Sequence, residues 1–166
     1  MSRTFRRIGA LGASTVALVA FCAAAPVFAD DGDGFEFTLY SKEVPAPGND
    51  ESAPPPKVGD SFSFADDLYT SKGGEKAGRD GVSCAVVRTT GTSVDVHCVG
   101  TFLLTGKPGG QLTAQALTTF DTAAEQQPPE DIPITGGTGD FKNAHGYIRT
   151  STDGDYERLE FHITTR

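Results

Sequence analysis

The chain has no tryptophan, one methionine, three cysteines and three histidines among its 166 residues. With so few thiols and imidazoles, no metal-ligand cluster forms in the sequence, and no metal site is expected. No Ser-His-Asp spacing, pair of carboxylates or phosphate loop stands out either, so hydrolase, metalloenzyme and kinase chemistries fit poorly. Helix is scarce as well. Past the first 29 residues, no apolar pattern of helical period reaches a normal helix length. Positive charge is also short: 14 Lys and Arg face 22 Asp and Glu, a formal net charge of −8.

The charge is unevenly placed. Arg3, Arg6 and Arg7 precede an uncharged run from Ile8 to Ala29, and Val27-Phe28-Ala29 sets small residues three and one places before Asp30. That arrangement predicts a signal peptide over residues 1–29, a secreted, extracellular protein, and no membrane association after cleavage. Removal of that segment takes three arginines and no acid, leaving 11 basic against 22 acidic residues and a net charge of −11. A chain this acidic does not neutralise phosphates, which excludes nucleic acid and anionic membrane surfaces as partners. Residues 30–166 suit one domain, with a proline-rich loop at 45–57.

What is abundant points to strands. Eleven phenylalanines accompany many Thr, Val and Gly residues. Seven or eight short alternating segments separated by turn residues read as an all-β fold, an eight-stranded antiparallel closed barrel, in which closure removes exposed edges. Phe35–Tyr40 is the first strand, Ser71–Arg79 reads as a flexible run, and Gln111–Asp121 is a later strand. Val82–Arg88 and Val94–Phe102 form a hairpin that, if symmetric about Gly91, sets Cys84 opposite Cys98. A disulfide between them is expected in an oxidising compartment, the alternative being two free thiols facing a pocket. On the other face, His97 and Asp95 resemble an acid–base pair, although an outward, solvated position is the simpler reading. The closing hairpin turns at Asp153-Gly154. It puts His145, Tyr147, Arg149, Tyr156, Arg158, Glu160 and His162 on one face and Ile148, Leu159, Phe161 and Ile163 on the other. Either the polar face is solvated, or it lines a lumen and orients a ligand.

The most distinctive stretch runs from Ile132 to Tyr147, with Gly136, Gly137 and Gly139 followed by Phe141 and by Ala144-His145-Gly146-Tyr147. It reads as a strand, a tight turn, a single helical turn anchored by Phe141, and another strand. A P-loop would need Lys-Ser or Lys-Thr after its last glycine, where Asp140-Phe141 stands. In a dinucleotide fingerprint a glycine would occupy the place of Lys142.

These segments together resemble the allene oxide cyclase and dirigent barrel superfamily from about Val58 to Ile163. Gly59-Asp60 with Phe64 and Leu68-Tyr69, Gly81-Val82-Ser83-Cys84, and Gly110-Gln111-Leu112-Thr113 are similar to successive family segments. The Gly136-Gly137-Thr138-Gly139-Asp140-Phe141 turn with Gly146-Tyr147 is the most specific match. The resemblance implies an eight-stranded barrel with an apolar lumen, usually a homotrimer, working without a cofactor. It implies binding of a small apolar or phenolic molecule and direction of its cyclisation or stereoselective coupling. Plant cyclases carry a carboxylate and an amide just after the first-strand aromatic; here Ser41 and Glu43 take those places. Cys84 falls on the family's pocket cysteine, and His145 stands where dirigent proteins tend to carry Arg. The candidate ligand-binding residues are therefore Tyr40, Tyr69, Cys84, His145 and Tyr147, with His145 and Tyr147 the candidates for catalysis. Two classes stay open: a cofactor-free isomerase, cyclase or coupling guide, and a non-catalytic secreted barrel that binds a ligand or protein partner.

Overall fold

The computed structural model describes residues 34–45 and 55–166; the expected signal peptide at 1–29 and most of the proline-rich loop lie outside them. Nine strands follow one another: β1 (Gly34–Glu43), β2 (Ser61–Phe64), β3 (Asp66–Tyr69), β4 (Lys76–Thr90), β5 (Ser93–Leu104), β6 (Gly110–Asp121), β7 (Glu130–Gly137), β8 (His145–Asp153) and β9 (Tyr156–Thr164). No α-helix occurs among the described residues.

All pairings are antiparallel, in the order β3-β1-β9-β8-β7-β6-β5-β4, and β4 returns to β3 to close an eight-stranded barrel. The ninth strand, β2, continues the line of β3 along β4 beyond the end of β1. The long β4 thus carries two partners end to end. Its first residues, expected to be flexible, are instead strand: Arg79 pairs Asp67 on one side and Leu103 on the other. Pairing on both edges overrides the polar, glycine-containing composition that suggested a loop.

The β4–β5 register matches the sequence expectation, with Cys84 opposite Cys98 and joined to it by a disulfide. The closing hairpin does not keep its expected register. Asp153 pairs Tyr156, so the two-residue turn is Gly154-Asp155, one residue further along. Gly154 has φ of +67° and takes the first central position of the turn, where a left-handed residue is demanded. The two faces of the hairpin are unchanged by this shift. Its polar face is outside, except that Tyr156, next to the turn, also borders the cavity described below.

One end of the barrel is plugged by aromatic side chains, with a smaller cavity of about 190 Å³ beside Phe37 and Leu104. Phe35, Phe37, Phe141 and Phe161 pack there, with Phe37 and Phe161 stacked at 4.6 Å and Phe35 edge-on to Phe141 at 5.5 Å. Phe141 is fully buried at the end of the single 3-10 turn Gly139–Phe141, so the distinctive glycine-rich stretch works as the plug. The plug is tied to the β5–β6 connection, where Gly109 N–H donates to Asp140 Oδ2 at 2.9 Å and Asp140 N–H to Gly109 O at 3.0 Å. Beyond it, Gly146 (φ +120°) lies so close to β9 that a Cβ would come within 2.0 Å of the His162 carbonyl oxygen. The exit from the plug therefore requires glycine.

Candidate functional site

The other end of the barrel is hollow. A cavity of about 570 Å³ lies above a floor made by Phe102, Ala114 and Leu159. Phe64, Phe120 and Ile132 add apolar wall, and Cys98 contributes its half of the disulfide. In a small barrel the inward side chains normally fill the interior. Here β6 supplies Ala114 and Ala116, and β5 supplies Gly100, at inward positions, and these small residues leave room.

The polar lining is acidic. Asp66, Asp80, Glu130 and Glu157 face the cavity from four strands, with Glu43 and Asp155 nearer the opening. Ser41, Asp66 and Asp80 are deepest, at 3%, 7% and 7% exposure. Asp66 and Asp80 meet because β3 and β4 run in register: Asp66 N–H donates to Asp80 Oδ1 at 3.1 Å. Loss of water raises the Asp80 carboxyl to about 7, aided by the charges of Asp66 and Glu157 and opposed by that backbone hydrogen bond. Asp66 is raised for the same reason, then by Glu43, while the Ser41 hydroxyl works against the shift. Glu157 is open to the cavity but ringed by protein; desolvation and then Asp66 raise it, against a hydrogen bond with Thr150. Thr118 Oγ1 donates to Glu130 Oε2. A carboxyl group near neutrality beside two raised neighbours can take or give a proton at physiological pH.

The residues singled out in the sequence sit elsewhere. His145 and Tyr147 lie on the exposed outer face of β8, where Tyr147 stacks on His162 at 4.6 Å. Tyr40 and Tyr69 lie outside as well, each edge-on to Tyr156 at 6.5 and 6.2 Å. None of the four lines the cavity, which corrects their assignment as lumen groups. The physical reason is strand alternation: Leu39, Ser41, Leu68 and Ile148 point inward, so the residues next to them cannot. Cys84 is buried against Val86, Val94 and Val96, and its bond to Cys98 removes it as a free thiol. His97 is exposed beside Gln115, whereas Asp95 is held by Arg88 and Thr119, so those two residues form no pair.

The carboxylates were missed, yet each bore a signal. Asp80 shares the parity of Val82, Cys84 and Val86; Glu157 that of Leu159, Phe161 and Ile163; Glu130 that of Ile132 and Ile134. An acid on the apolar side of an alternating strand marks a wet or functional interior. Ser41 and Glu43, by contrast, were flagged by the resemblance and do line the cavity.

The sequence matches the family described as "Allene oxide cyclase barrel like domain" over residues 42–163. Among solved structures, one titled "Pyocyanin demethylase" is 29% identical, with a TM-score of 0.63 over 78% of this chain and 99% of that one. A pterocarpan synthase dirigent protein is 16% identical, with a TM-score of 0.58 over 89% of this chain and 99% of that one, a likeness of fold. No curated protein sequence matches the chain significantly.

Proposed function

This chain belongs to the allene oxide cyclase barrel like family, and from that premise we propose that its cavity binds a small, largely apolar or phenolic molecule and directs its cyclisation or coupling without a cofactor. The carrying observation is the cavity itself, one end of a closed barrel left hollow and walled by Asp66, Asp80 and Glu157 over an apolar floor. Holding one conformer of a ligand in a partly dry space lowers a barrier through orientation. Asp80 adds a proton donor or acceptor at neutral pH. The relative titled "Pyocyanin demethylase", 29% identical, supports small-molecule chemistry in this barrel. The disulfide suits an oxidising, extracellular compartment. Exposed Val99 and Leu117 on neighbouring strands support self-association, a homotrimer by family resemblance.

Native mass spectrometry of the protein recovered from its source's culture medium tests this reading. A retained small molecule, lost from the cavity-filling variant Ala116→Phe, is the expected result. A molecule that stays bound to Ala116→Phe would place binding elsewhere. With that molecule as substrate, Asp80→Asn should slow turnover roughly 100-fold, while unchanged turnover would favour the second reading, a non-catalytic binding barrel.

A further inference from the structure

The charge of the occupant follows from the wall, an inference that rests on the cavity reading above. Facing the cavity are Glu43 from β1, Asp66 from β3, Asp80 from β4, Glu130 from β7, Glu157 from β9 and Asp155 from the β8–β9 turn. The strands β5, β6 and β8 add uncharged groups such as Cys98, Thr118 and Thr150. Among the described residues no Lys, Arg or His lines the space. Cations close by in sequence are held outside the space: Arg158 pairs Glu160, Lys76 pairs Asp67, and the Lys42 ammonium lies 5.3 Å from the centre of the Tyr156 ring.

A second observation stands apart from this charge count. Asp80 is more than nine-tenths buried and lines the cavity, and its Oδ1 takes the Asp66 N–H. No fully buried side-chain oxygen among the described residues lacks a hydrogen-bond partner, so Oδ2, with no donor beside it, is the oxygen open to the cavity. A carboxylate oxygen open to the cavity, in a wall without a counter-ion, is placed to meet a cationic partner on the ligand. An anion would add repulsion to that already present, and a neutral molecule would leave it unrelieved. The rings of Phe64, Phe102 and Phe120 offer surfaces suited to an aromatic body or to a cation over its face.

We propose that the cavity selects compact apolar cations, a quaternary or protonated nitrogen carried on an aromatic body and held among Asp66, Asp80 and Glu157, over neutral or anionic molecules of the same shape. The test titrates the purified protein at pH 8 with three probes: 1-naphthylmethyltrimethylammonium, its uncharged isostere 1-neopentylnaphthalene, and 1-naphthylacetate. The cation should bind at least ~10-fold more tightly than the isostere, and naphthylacetate more weakly than both. Asp80→Asn and Glu157→Gln should each weaken the cation several-fold and leave the isostere unchanged, so a fall in both would mean damage to the barrel and count against the assignment. At pH 5, below the value to which Asp80 is raised, its protonation should shrink the preference. Equal affinity for cation and isostere would overturn charge selection while leaving the cavity reading intact. No binding of any probe would overturn both.

Discussion

Replacing Asp80 by Asn removes one carboxyl that the fold strains to keep ionised. The side chain is 7% exposed, and an amide oxygen can still accept the Asp66 N–H. In the unfolded chain this carboxyl titrates at its ordinary 3.8, and in the barrel at about 7. At 1.36 kcal/mol per pH unit, that gap corresponds to about 4 kcal/mol. Because the folded value is the higher one, the stabilising state is the protonated one. Its contribution is whole below pH 3.8 and drains away as pH rises to about 7. The wild-type barrel therefore loses stability across that window, and Asp66 and Glu157, both raised, act in the same direction. Asp80→Asn should match the wild type near pH 4. By pH 8 it should exceed it by roughly 3 kcal/mol, equivalent to a rise of about 10 °C in Tm. Urea titrations of both proteins from pH 4 to 8.5 read this directly. A difference that stays constant with pH would refute the reasoning, as would a variant less stable than the wild type at pH 8.

Other outcomes follow from the same frame. Phe141→Ala, at the heart of the plug, should cost about 3–5 kcal/mol in denaturant unfolding, and Gly146→Ala should also destabilise, since its Cβ would strike the His162 carbonyl. Reduction of Cys84–Cys98, which spans 14 residues, should lower stability by about 2–4 kcal/mol, with a mass gain of two protons in the reduced protein. His145→Ala and Tyr147→Ala, on the outer face, should leave probe binding unchanged and alter stability by less than about 1 kcal/mol, as calorimetry would register. On the proposed self-association, Leu117→Asp should shift the particle mass towards that of a monomer in light scattering, and an unchanged mass would count against that surface.

The sequence by itself determined the strands that alternate cleanly, because a period of two needs only local residues. The β4–β5 hairpin and its disulfide could be placed from symmetry about Gly91, and the plug from three glycines and one phenylalanine. It also determined the two faces of β8 and β9 even though their register was misjudged, since the turn moved by one residue on both sides of Gly154. Local patterning did not say which face was inside. Barrel closure decided that, turning Tyr40, Tyr69, His145 and Tyr147 outward and leaving the apolar set within. Closure likewise decided the site. Glu43, Asp66, Asp80, Glu130 and Glu157 span more than a hundred residues and lie on five strands, with no motif linking them. Each is an isolated acid on an apolar face until β4 meets both β3 and β5 and the sheet becomes a ring. Only then do they share one low-dielectric space, and that shared space is what raises Asp66, Asp80 and Glu157.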